Sequence, residues 1–422
     1  MKTPVFFRTA IRALPLLLLA CSPKTDPNPI ANGEADFSRY VAVGGSLTAG
    51  YMDGGLYRAS QLASYPNLLA QQFRFAGGGE FIQPLFSEEQ ENGSGYLQPT
   101  TLNPLQLAPV SDRLALRSSS PTLYTKFSGE NQNFGVPGLR VTDVATAGYG
   151  AAGSNPFFER LLPTGQEQKT YLAYVSEAKP TFFTYWLGND DLLGYVASGG
   201  TRPLSTLADF TTGTKQLFDA LAASGSKGAV GNLPDPTLLS LLRSPAELMA
   251  YRNDKVGPYW IATGTGEVRV ANETDRILTT ADSIGYLSAA GFPKGFFKIY
   301  PLQNADVLDA DELLQLQQAL EGFNAALRTE ASARDWPVAD LNALFRKAKQ
   351  GYLDYDGTRV ETDLFLDGQL SANSISSFDG VSLNPRGQAL VANEFIDAIN
   401  RAYQSQLNRL YVGRYTALRQ GK

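Results

Sequence analysis

Four runs of strand length set the frame of this chain. Residues 39–44 (RYVAVG), 181–188 (TFFTYWLG), 295–301 (GFFKIYP) and 336–341 (WPVADL) are apolar along their length instead of alternating with polar residues. Strands buried on both faces read this way. Between the last two, Leu313, Leu316, Leu320, Phe323 and Leu327 recur at three and four and mark one face of a helix. A last helix is expected over about 388–403, with Val391, Phe395, Ala398, Ile399 and Ala402 along one side. Strands alternating with helices predict an α/β fold, a three-layer α/β/α sandwich around a mostly parallel sheet. At 422 residues, 43% hydrophobic and 18% charged, the chain can bury such a sheet.

Two segments break the rhythm and read as insertions in one domain. Residues 77–131 are rich in Gly, Ser, Pro, Gln and Asn and are expected to form loops over the top of the sheet. Residues 195–294 hold a helix marked by Leu207, Phe210, Leu217, Phe218 and Leu221, and then YWIATGTGEVRVA, whose central Gly-Thr-Gly predicts a hairpin. The domain is taken as 38–405, followed by a tail at 406–422. A net charge of −5 without basic clusters excludes a nucleic-acid partner. With no histidine and one cysteine there are no ligands for a zinc site. No loop has the spacing of a carboxylate calcium site, so neither metal nor cofactor is expected.

The N-terminus reads as an address. Lys2, Arg8 and Arg12 precede ALPLLLLAC, an apolar stretch too short to span a bilayer. Cys21 after Leu18-Leu19-Ala20 resembles the lipobox of bacterial lipoproteins. The resemblance implies a signal peptide over 1–20, lipidation of Cys21, a polar tether over 21–37 and a place in the cell envelope, most simply the outer membrane. More than one acyl chain on Cys21 would hold the protein without a transmembrane helix.

Ligands of open α/β sheets sit outside the carboxyl ends of the strands. In VGGSLTAGY, Gly44 and Gly45 allow a tight turn that brings the Ser46 hydroxyl and N–H into the crevice. In NFGVPGLRVTD, Gly138 can offer a bare backbone N–H, and in WLGNDD, Asn189 can offer its side-chain amide. These are the parts of an oxyanion hole around a hydroxyl nucleophile.

With DGVSLNPRGQALVANEFI, these stretches resemble, in order, the sequence blocks of the SGNH/GDSL hydrolases, esterases and lipases with a flavodoxin-like fold. The resemblance implies Ser46 as nucleophile, the Ser46 N–H, Gly138 and Asn189 as oxyanion donors, and Asp379 as the acid of a triad. It also implies an ester-bearing lipid or glycan as substrate. The chain departs from the pattern twice. Gly45 stands where the family has aspartate, and Ser382 stands where Asp-x-x-His supplies the base.

Asp379, Asp190 or Asp191 could accept the proton, but aspartate titrates near 3.9 against about 6.5 for imidazole. Burial would have to raise it. The expectation is slow turnover, since removing one triad member leaves about 10³–10⁴ over water. Three readings stay open: an esterase with an altered base or a water relay through Ser382; a pseudoenzyme that binds an ester-bearing glycan or lipid; and an interaction subunit of an outer-membrane assembly. The 20 Tyr and 23 Phe are read as packing.

Overall fold

The computed structural model describes residues 1 and 30–417, apart from 103–104, 256, 282 and 367–368. Residues 2–20 of the stretch read as a signal peptide, and Cys21, lie outside the described residues. Five strands form the central sheet: β1 (Tyr40–Gly44), β2 (Asn133–Gly135), β3 (Phe182–Trp186), β4 (Lys227–Gly231) and β5 (Val338–Ala339). Their spatial order is β2-β1-β3-β4-β5, with every pair parallel. That is the flavodoxin-like order, whose direction reverses between β1 and β3.

Register aligns the strand ends. Gly44 pairs with Gly135 on one side and with Trp186 on the other, so β1, β2 and β3 end level. The segments carrying Ser46, Gly138 and Asn189 therefore leave the sheet at one edge.

Alternate side chains of β3 feed the two helical layers. On one face Trp186 meets Tyr65 of α2 (Tyr65–Phe75), edge on at 5.6 Å. Tyr65 stacks on Phe395 of α7 (Pro385–Tyr403) at 5.2 Å. On the other face Tyr185 meets Phe218 of α4 (Leu207–Ala222) at 4.9 Å. Phe210 of α4 stacks on Phe323 of α5 (Ala310–Ser332) at 4.0 Å. Each such pair adds about 0.5–1.5 kcal/mol beyond its buried area. The remaining helices named here are α1 (Ser46–Ala49), α3 (Asn189–Val196) and α6 (Leu341–Gln350).

Four expectations differ from the structure. Residues 295–301 are not a buried strand, because Phe297 and Ile299 are 42% and 72% exposed. They belong to an insertion with its own small core, which includes Tyr259, Ile261, Ile277, Leu302 and Val307. The sheet position goes instead to KGAVG, whose small residues hide it from a search for apolar runs. A Cβ on Gly228 would lie 2.3 Å from the Phe183 ring, so the missing side chain is what lets the strands pack.

Residues 77–131 hold two antiparallel pairs, Tyr96–Leu102 with Leu105–Val110 and Leu116–Ser119 with Thr122–Tyr124. Backbone ladders hold them while most of their side chains are partly or fully exposed, which leaves no apolar pattern to read. Ala402 is exposed; Tyr403 turns inward in its place. The predicted hairpin is present, Trp260–Ala262 against Val268–Val270.

Both flanks of the domain pack on it. Ala35 and Phe37, in the stretch read as tether, are buried. So are Leu407, Leu410 and Val412, in the stretch read as tail. Asn393 of α7 exchanges two hydrogen bonds with the Leu410 backbone, at 2.9 and 2.6 Å. Among the described residues no helix is long and apolar enough to cross a membrane.

Candidate active site

The turn after β1 is built for close approach. A Cβ on Gly44 would fall 2.0 Å from Thr48 Oγ1 and 2.5 Å from the Trp186 carbonyl oxygen. Only glycine lets α1 start directly over the sheet. Ser46 opens that helix, and its Oγ accepts a hydrogen bond from the Gly138 N–H at 3.0 Å.

Gly138 has φ of +78°, a left-handed conformation that turns its N–H inward at little cost to glycine. Its loop is braced from behind. Tyr149 Oη donates to the Gly138 carbonyl at 3.1 Å, and Asn155 Nδ2 donates to the Pro137 carbonyl at 2.9 Å and to Tyr149 Oη at 3.1 Å.

Asn189 begins α3 after Gly188, whose φ is +119°. The next residue, Asp190, reaches Ser46. Ser46 Oγ donates to Asp190 Oδ1 at 2.9 Å and lies 3.2 Å from Oδ2, while the Ser46 N–H points to Oδ2 at 3.4 Å. The contact depends on Gly45, because a Cβ there would lie 2.5 Å from Asp190 Oδ2. Asp191 points the other way, accepting from the Val141 N–H and from Ser205 Oγ, each at 2.7 Å. It thereby fixes α3 to the segment that follows Gly138.

Burial pushes the Asp190 carboxyl up to about 6, against the opposing pull of its hydrogen bonds from Ser46, and the neighbouring Asp191 charge adds to the rise. Asp191 is likewise raised to about 6 by burial, opposed by Ser205, the Val141 N–H and Arg140. Tyr51, across the pocket, is pushed up to about 12 by burial and then by Asp379, Tyr124 and Asp190.

Asp379 stands in a different setting. Its Oδ2 accepts from the Gly54 N–H at 2.8 Å. Its Oδ1 accepts from Ser377 Oγ at 3.0 Å, the Val381 N–H at 2.8 Å and the Ser382 N–H at 2.7 Å. Ser382 is buried, and among the described residues no hydrogen bond joins Ser46 to Asp379 or Ser382.

Ser46, Gly138, Asn189, Asp379 and Ser382 all line one cavity of about 740 Å³, together with Asp190. Its other walls include Leu47, Tyr51, Pro137, Tyr149, Phe157 and Leu193. The cavity thus gathers the Ser46 hydroxyl, the Gly138 N–H that donates to it, Asn189 and two carboxylates at the end of an apolar slot. Such a site can hold an acyl group beside a nucleophile.

Tyr51, Tyr149 and Asn155 are not legible in the sequence as site residues. Asn155 carries one local signal, Asn before Pro, and its side chain does cap the short helix Pro156–Glu159. Its second task, bracing the Gly138 loop, is a tertiary contact. Among the described residues no group of three or more His, Cys, Asp or Glu side chains could hold a metal ion.

No match was found among curated proteins. Among solved structures the chain is similar to an alpha/beta hydrolase enzyme from the metagenome of Lake Arreo, Spain, at 12% identity and a TM-score of 0.37, over 87% of this chain and 96% of that one. The model of the GDSL-like lipase/acylhydrolase family matches residues 40–395, from the first residue of β1 into the last helix, and the chain belongs to that family.

Proposed function

We propose that the protein is a serine ester hydrolase of the bacterial cell envelope, held by lipid at Cys21. It cleaves acyl or acetyl esters of a lipid or glycan, more slowly than an enzyme with an imidazole base. One observation carries the catalytic reading: the Ser46 hydroxyl lies 3.0 Å from the Gly138 N–H at the end of an apolar cavity. In this reading Gly138 and Asn189 stabilise the charge that develops on a carbonyl oxygen, and one such donor is worth about 10²–10³ in rate. The apolar walls suit the acyl side of the ester. The support for envelope anchoring is the sequence before Cys21 alone.

The test is hydrolysis of activated aryl esters of increasing chain length by the full chain, beside Ser46→Ala and Ser382→His. Turnover that Ser46→Ala abolishes, and that Ser382→His raises by less than about tenfold, is the expected result. Wild-type rates equal to those of Ser46→Ala would overturn it and favour a binding role, and a rate gain of about 10²-fold in Ser382→His would mark a lapsed triad.

A further inference from the structure

If Ser46 is the nucleophile, its proton must go somewhere other than histidine. Resting on that reading, we propose that the Asp190 carboxylate is the proton acceptor. Of the three carboxylates near the slot, Asp190 alone among the described residues hydrogen-bonds Ser46 Oγ, at 2.9 Å. Asp379 is engaged by four donors of its own neighbourhood and Asp191 by two on the far side.

A Cβ at 45 would fall 2.5 Å from Asp190 Oδ2, so Gly45 leaves the carboxylate its present place against Ser46. Asp190 also lies in the first turn of α3, where the helix dipole favours the ionised form that a base requires.

The step balances in charge and atoms. Ser46 Oγ bonds to the carbonyl carbon of the ester as its proton passes to Asp190 Oδ1, and the carbonyl π pair moves onto oxygen. Negative charge moves from Asp190 to that oxygen. The Ser46 N–H, which points to Asp190 Oδ2 at rest, is released to join Gly138 and Asn189 there. Collapse breaks the bond to the leaving oxygen, which takes the proton from Asp190 and departs as alcohol. Water then repeats the sequence on the acyl-serine, giving the carboxylic acid and free Ser46.

The groups facing Asp190 are Asp191 on its own turn, Tyr51 from the segment after α1 and Tyr149 from the loop after Gly138; beyond them Asp379 faces Tyr51, and Arg140 and Asp143 face Tyr149. Both tyrosines are raised well above their ordinary range, so Asp191 is the neighbour that shares the window near 6.

The experiment measures kcat and KM against pH for wild type, Ser46→Ala, Asp190→Asn, Asp190→Ala and Asp191→Asn. In wild type, kcat/KM should climb about tenfold per pH unit to a plateau above about pH 6 and keep that limb in Asp191→Asn. Asp190→Asn should lose about 10²–10⁴ in kcat with KM changed less than about threefold. Asp190→Ala should regain at least about tenfold with added formate, which a merely structural residue would not do.

Asp190→Asn within about threefold of wild type, with Ser46→Ala inactive, overturns the assignment of Asp190 and leaves the serine reading intact. Wild type no faster than Ser46→Ala takes down both. Should Asp190→Asn fail to fold, a wild-type profile flat from about pH 4.5 to 8 overturns the proposal and a limb near pH 6 supports it.

Discussion

Two carboxylates line the same slot and live in opposite worlds. Asp379 accepts four hydrogen bonds, two of them from backbone N–H groups within its own turn. Those bonds tie residues 377–382 to the segment at Gly54. Among the described residues Asp190 is bonded by Ser46 alone, and it is raised by burial to about 6. A carboxylate stripped of water and given few donors holds its proton more tightly and is a better base. Sharing a pocket therefore says little about sharing a task. What differs is how many donors each acid has been given.

Three variants test that contrast, from the largest expected effect to the smallest. Gly45→Asp restores the family's residue at this turn but drives a second carboxylate into Asp190, at a Cβ distance of 2.5 Å. Turnover should fall more than about 10²-fold, and stability should drop by about 3 kcal/mol or more as two acids crowd one site. Wild-type melting and rate in this variant would mean that Asp190 does not occupy the place seen here.

Asp379→Asn keeps one acceptor oxygen and removes the charge. Denaturant unfolding should show a loss of about 1.5–3 kcal/mol, the worth of hydrogen bonds to a charged group. Turnover should fall by less than about tenfold. A loss of about 10³ in rate with unchanged stability would instead make Asp379 the working acid and collapse the contrast.

The third variant reads stability alone. Asp190 holds its proton more tightly folded, at about 6, than unfolded, near the ordinary 3.9. Folding takes up a proton between those values, so wild-type stability falls as pH rises through that window. Asp190→Asn lacks this cost. It should melt higher than wild type at pH 7, with the difference gone below about pH 4. A difference that does not change with pH would show that Asp190 ionises alike in both states.

The legible parts of the fold share one trait, that their apolar residues are their own. Residues 40–44 and 182–186 announce themselves because the side chains that fill the core belong to the strand. KGAVG is invisible because its contribution is a gap, filled by the ring of Phe183. GFFKIYP misleads for the opposite reason, carrying apolar side chains that end up partly in solvent. Likewise Ser46, Gly138 and Asn189 can be placed from their blocks, whereas Tyr149 and Asn155 act only through contacts made across loops.

By itself the sequence determined that a serine would stand at the end of a parallel strand in a chain without imidazole. Both come from local pattern and from composition. Only the tertiary structure set Asp190, rather than Asp191 or Asp379, against Ser46 Oγ. The three are chemically identical in the chain, and what separates them is distance to Ser46 and the donors each one meets, quantities that exist only once the segments are folded together.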